Sequence, residues 1–249
     1  MMMLMTINEV DAAAVRCSRL AVGLLEYEVE QILGLDAGVI AAAEERRAPI
    51  PDGLVELLDE VTTVAATETV RLIETATVSG EIEVFKDAAD VFAATEGRIA
   101  MEGVYRVCAG RAAMAVPQAK VIRRDLDEAA DHAAWLVCVA AACGMGFNQI
   151  QKWFDVGRKR VQTWIAGTGA VPAGVVAEMR EISMRARAHV EELAAGIDVE
   201  DPIVWVCATE EQMETHWPAH ADLPLTTHQV CAARAAAGVD GARLVFLPG

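Results

Sequence analysis

The densest chemistry-bearing stretch of this chain runs from Lys152 to Arg160, where Lys152, Arg158, Lys159 and Arg160 face one acid, Asp155. Side chains of this kind contact phosphate oxygens or guanine edges, and Gln149, Gln162 and Thr163 beside them can bond base edges, Gln most readily to adenine. A solvated helix face is the alternative reading of the same run. A second constellation, Cys207, His216, His220, His228 and Cys231, has the residue types of a zinc site. Pro218 breaks the helical spacing of its first two histidines, however, and no metal is expected there; His216 and His220 read as surface or loop residues. Arg111 in YRVCAGRAA and Arg234 in HQVCAARAA sit on apolar stretches. They either bind an anion or, the favoured reading, pack their stems and bond carboxylates or carbonyls across the molecule. No G-x-G-x-x-G after a strand, Walker A loop, G-x-S-x-G or carboxylate pair beside a histidine occurs, so neither catalysis nor a cofactor is expected.

The elements that carry these residues come in duplicate. A shift of 121 positions aligns Asp11–Val61 with His132–Ile182 without a gap, matching Ala12/Ala133, Cys17/Cys138, Gly23/Gly144, Pro51/Pro172 and Glu60/Glu181. Apolar pairs such as Leu24/Met145, Val29/Ile150 and Ile40/Val161 fill the positions between. Downstream, Val84 matches Val206 at a shift of 122, and Tyr105–Arg111 matches His228–Arg234 at 123. Each copy reads as several helices followed by a small α/β unit. In copy one, Thr6 and Glu9 suggest a capping box opening a helix to about Val22, followed by Glu26–Leu33. A third helix capped by Asp36 runs to about Glu45, and a long one starts at Pro51. Copy two repeats the order over about Asp127–Cys143, Phe147–Phe154, Gly157–Ala166 and Pro172–Ala195. Strands are expected at Glu81–Phe85, Ala119–Ile122, Pro202–Val206 and Ala242–Phe246, in small mixed sheets.

Composition narrows the function classes. Of 249 residues 54% are hydrophobic, too many for a disordered chain, and Gly and Pro are too few for a linker. With 37 acids against 21 bases the net charge is −16, so any DNA contact must come from a local basic patch. The six cysteines form no C-x-x-C pair, and the N-terminus has no basic segment ahead of its apolar residues, which points to reduced, buried thiols in a cytoplasmic protein. Trp135, Trp153, Trp164 and Trp205 are expected in the core. The longest apolar run, Ala133–Phe147, falls short of the roughly 18 residues of a membrane span, so no membrane partner is expected.

The segment Cys143-Gly-Met-Gly-Phe-Asn-Gln-Ile-Gln-Lys-Trp-Phe-Asp-Val-Gly-Arg-Lys-Arg-Val-Gln-Thr-Trp-Ile-Ala-Gly167, ending in Ala170-Val-Pro172, resembles the Cro/Xre-type helix-turn-helix domain. It is most similar to the YdiL-like subgroup, which includes anti-CRISPR-associated autorepressors and carries a W-E-x-G turn followed by [IV]-P. Copy two keeps Trp164 and Gly167 of that turn with Ile165 in place of Glu; copy one keeps Glu44 with Ala43 and Arg46 at the flanking places. The resemblance implies a four- or five-helix domain whose third helix enters the major groove, acting as a dimer on inverted repeats. The expected fold is therefore mostly α with small α/β appendages: two tandem helix-turn-helix modules arranged as an intramolecular pseudo-dimer. The expected units are residues 1–78 and 125–200 for the modules, with 79–124 and 201–249 for their appendages. Copy two presents the basic reader Arg158, Lys159, Arg160, Gln162 and Thr163. Copy one presents Ala37, Gly38, Ala41 and Ala42 with acids Glu26, Glu28, Glu30, Asp36, Glu44 and Glu45 around them, a face that phosphates would repel. Arg46 and Arg47 either touch a DNA backbone or face solvent. The leading expectation is a sequence-specific transcriptional regulator, a repressor or autorepressor, on double-stranded DNA; a homodimer would restore two basic readers. The competing expectation is an acidic interaction or antitoxin-like module that binds a protein partner through its first half, with 20 acids against 12 bases in residues 1–124.

Overall fold

The computed structural model describes residues 12–123, 125 and 131–248; Thr6 and Glu9, and the expected helix start at Asp127, lie outside the described residues. Four helices come first: α1 (Ala12–Val22), α2 (Glu26–Leu33), α3 (Val39–Glu44) and α4 (Leu54–Ser79). Then follow β1 (Glu81–Glu83), α5 (Ala88–Ala94), α6 (Glu102–Ala115) and β2 (Lys120–Ile122). The same succession recurs in α7 (Asp131–Ala142), α8 (Phe147–Trp153), α9 (Arg158–Ala166), α10 (Ala173–Ala195), β3 (Ile203–Val206), α11 (Glu210–His216), α12 (Leu225–Ala236) and β4 (Arg243–Phe246). The protein is mostly helical, with one small strand pair in each half.

The local chemistry recurs with the order. Gly23 ends α1 and Gly144 follows α7, both left-handed and both against the backbone of a later helix of the same repeat. A Cβ on Gly23 would lie 2.7 Å from the Gly103 carbonyl, and one on Gly144 2.8 Å from that of Thr226, so only glycine permits either approach. Asp87 caps α5 by accepting from the Asp90 N–H at 3.0 Å, as Thr209 caps α11 through Gln212 at 3.2 Å. The Cys108 thiol donates to the Ala65 carbonyl at 3.4 Å and the Cys231 thiol to that of Ala186 at 3.3 Å.

Packing then crosses between the repeats. α4 lies on α6 and α10 on α12, within each repeat; α1 packs mainly on α12 and α7 on α6, each first helix on the other repeat's last. Buried Val15, Leu24, Val104, Leu136, Val139 and Val230 belong to this core, each worth about 1.5–3 kcal/mol once removed from water. At the α6–α7 crossing the backbones nearly touch, since a Cβ on Gly110 would stand 2.0 Å from the Cys138 carbonyl oxygen.

Several sequence expectations are corrected. The strands do not form mixed sheets: β1 pairs with β2 and β3 with β4, both parallel, placing Ile82 opposite Val121 and Val204 opposite Leu244. A parallel pair needs a crossover, and α5–α6 and α11–α12 supply it. Pro51 does not open α4, because a turn through left-handed Gly53 intervenes, and Pro172 is the N-cap of α10 rather than its first residue. The residue capping α3 is Gly38, not Asp36. Trp164 is buried and Trp135 and Trp153 half-buried, but Trp205 is exposed because it points away from the helices on the outer face of β3. All six cysteines are buried and none is in a disulfide. The apolar run beginning at Ala133 bends by 103° between α7 and α8, and no single described helix is long and apolar enough to cross a membrane.

Candidate nucleic-acid interface

In the second repeat, α8 and α9 are joined by a turn in which Asp155 adopts the left-handed conformation, φ +46°. Val161 and Trp164 bury one side of α9 and Ile150 anchors α8. Arg123, just after β2 of the first repeat, donates to the carbonyls of Ile165 and Ala166 at 3.2 and 3.1 Å and so closes the last turn of α9. With that side fixed, Arg158, Lys159, Arg160 and Gln162 are exposed together.

The start of α9 is electrostatically unusual. Its N-cap, Gly157, offers no side-chain bond, and the first turn holds no acid. Three cations at the positive end of a helix dipole each cost about 0.3–1 kcal/mol, and an anion placed there reverses that cost. Arg158 lies over the Phe147 ring at 5.7 Å. Among the described residues no carboxylate forms an ion pair with Arg158, Lys159 or Arg160.

The other expected contacts are less open. Lys152 is exposed but paired with Glu210 at 3.0 Å, a solvated bridge of little energy. Thr163 is half-buried and donates its hydroxyl to the Arg160 carbonyl at 2.7 Å. Gln149 is half-buried, with its amide oxygen beside Gly146. The structure thus leaves Arg158, Lys159, Arg160 and Gln162 exposed around the first turns of α9, leaves Lys152 exposed but paired, and half-buries Thr163 and Gln149.

The first repeat answers the same physical problem internally. The Glu30 carboxylate accepts from the N–H groups of Gly38 and Ile40 at 2.8 and 3.2 Å, so the start of α3 already has its anion. Gln151 stands at the matching position before α9. Glu44 is buried and accepts from Arg19 at 2.5 and 2.8 Å, where the second repeat has Ala140 and Ile165. Glu30 and Glu44 are therefore interior groups, a correction to the outward acidic face expected of copy one. Arg47 bonds Glu45 at 2.6 Å and Arg46 lies over the Phe246 ring at 5.3 Å, so both have partners within the chain.

A buried polar niche also recurs. In the first repeat Glu68 is buried between Arg71 and Arg98. In the second, His189 occupies the position of Glu68, Glu192 that of Arg71, and His228 that of Tyr105. The Cys207 N–H donates to His228 Nε2 at 3.0 Å, which leaves the His228 proton on Nδ1, 2.8 Å from His189 Nε2. Burial, reinforced by the neighbouring rings, holds both imidazoles well below the usual histidine range. His220 bonds Glu192 at 2.7 Å and is buried, not on the surface as its sequence context suggests. Ligand atoms of His189, Glu192 and His220 lie within 4.8 Å of one another, a spacing open to a metal. The salt-bridged counterpart in the first repeat, and the bonds these side chains already make, mark the niche as a polar support. Of the zinc set suggested by sequence, His216 is exposed, and the Cys231 thiol is committed to Ala186. His189 was invisible as its partner, since Glu68 and His189 share no residue type.

Comparison of the chain with protein-family models, with curated proteins and with solved structures yields no match.

Proposed function

We propose that this protein is a DNA-binding transcriptional regulator of the Cro/Xre helix-turn-helix type, reading double-stranded DNA through α9. The observation that carries the reading is the start of that helix: Arg158, Lys159 and Arg160 are exposed at an N-terminus that has neither a side-chain cap nor, among the described residues, a carboxylate partner. Phosphate fits that position in charge and geometry, and exposed Gln162 one turn on can reach a base edge. The first repeat supports the contrast, because Glu30 fills the corresponding place and leaves one active reader per chain. We further propose that the two repeats form an intramolecular pseudo-dimer, in support of which α1 on α12 corresponds to α7 on α6. A second copy of the chain would then supply a second basic helix to an inverted repeat. The test is fluorescence anisotropy with a random duplex pool and the Arg158→Glu/Lys159→Glu variant. The wild type is expected to bind and the variant not to, with unchanged circular dichroism; equal affinity would remove α9 from the interface.

A protein partner is the second reading, favoured by Leu25, Tyr27 and Ile32, which are exposed at α2 beside an acidic surface. Capture of a basic protein by the chain without any DNA binding would select it.

A further inference from the structure

A cavity of about 790 Å³ lies between the repeats, framed by α1 and α4 of the first and by α12 and β4 of the second. Its walls are aliphatic: Ala14, Val55, Leu58 and Val245 among others, with the hydroxyls of Ser18 and Thr62 between them. Arg111 and Arg234, which hold matching positions in the two repeats, both line it.

The sequence favoured a structural role for this pair, with guanidinium groups bonded to carboxylates or carbonyls across the molecule. The structure supplies little of that. Among the described residues Arg111 donates once, to the Ala21 carbonyl of its own repeat at 2.7 Å, and its buried Nε has no acceptor. No hydrogen bond or ion pair joins Arg234 to any described residue, and Asp59, the one acid among the described residues of the cavity wall, is exposed and pairs with neither arginine. Burial and the neighbouring charge of Arg234 pull the Arg111 guanidinium down to about 10. Two half-buried cations sharing a cavity with no counter-ion among the described residues are costly, and a bound anion removes the cost.

We propose that this cavity binds one amphipathic organic anion, its carboxylate or phosphate head held between Arg111 and Arg234 and its aliphatic body along the alanine, valine and leucine walls. The volume falls within the range of sites for small organic molecules, and guanidinium forks suit either head group. The absence of aromatic rings among the described lining residues favours an aliphatic body over a stacked ring. The two head-group arginines come one from each repeat, the third arginine on the wall, Arg243, being already paired with Asp201 at 2.6 Å, and the site is independent of whether α9 meets DNA.

Thermal unfolding of the full chain tests it with four probes: octanoate, octyl phosphate, octanol and inorganic phosphate. Octanoate or octyl phosphate is expected to raise Tm by about 5 °C at a hundredfold excess over Kd, whichever is stronger identifying the head group, while octanol and inorganic phosphate raise it much less. Arg111→Met and Arg234→Met are each expected to weaken binding at least tenfold (~10-fold per 1.4 kcal/mol) while keeping or raising the Tm of the unliganded protein, which a purely structural arginine would not do. Ala14→Leu, which narrows the cavity and leaves both charges, is expected to weaken the same probes. Equal response to octanol and octanoate, equal binding by the methionine variants, or no response to any probe would overturn the proposal.

Discussion

The Arg19–Glu44 pair provides a quantitative test of how the two repeats relate. Arg19 is buried on α1, bonds both oxygens of buried Glu44 and donates to the Leu24 carbonyl at 2.8 Å. Removing either partner strands the other charge in the interior, at a cost of about 3–5 kcal/mol. The second repeat holds the matching positions with Ala140 and Ile165. Arg19→Ala/Glu44→Ile therefore copies into the first repeat a solution the fold already contains. The double variant loses the bond to Leu24 and the long, half-exposed pair with Glu26 at 3.4 Å, together about 1 kcal/mol, and gains apolar contact. Urea denaturation of the wild type, both single variants and the double variant gives the coupling directly. Each single variant is expected to fall by about 3–5 kcal/mol and the double to lie within about 1 kcal/mol of the wild type. A double variant as unstable as the two single losses added would refute the equivalence of these positions.

Three further outcomes follow from the packing. His189 and His228 are held neutral in the fold beside His220 and Glu192, whereas an unfolded histidine titrates near 6.5. Below that pH the unfolded chain binds more protons, so stability falls with acidification by about 2 kcal/mol per histidine at pH 5; urea midpoints at pH 7.5 and 5 measure it, and a His189→Gln variant should show a smaller fall. Gly110→Ala places a Cβ against the Cys138 carbonyl and should destabilise by about 3 kcal/mol in the same denaturation assay. Burial pushes the thiols of Cys138, Cys143, Cys207 and Cys231 up to about 12, so a thiol reagent at pH 8 should label them only after unfolding.

What the sequence disclosed is traceable to single residues. Gly23 and Gly144 reveal the repeat because each admits a helix backbone that any side chain would exclude, and Cys108 and Cys231 because each thiol fills the same niche. The boundaries of α8 and α9 were legible from Gly146, Gly157 and Gly167, which bracket short amphipathic runs. Strand pairing was not legible, since a three- or four-residue run carries no information about its partner. Glu30 and Glu44 read as surface acids because their partners, a helix N-terminus and Arg19, are fixed only by tertiary contact. Nor could the sequence show Arg111 and Arg234 meeting one cavity, since it forms only where α1 of one repeat lies on α12 of the other.

The reading of α9 as the DNA-contacting element stands or falls most directly on the salt dependence of binding. Three phosphate contacts from Arg158, Lys159 and Arg160 predict a slope of log K against log salt of about −2.7 for one chain, equivalent to a roughly 40-fold loss between 50 and 200 mM. Single replacement of Lys159 by Ala should make the slope about 0.9 less steep. A slope that stays the same in Arg158→Ala, Lys159→Ala and Arg160→Ala variants, or no binding at 50 mM salt, would contradict the assignment.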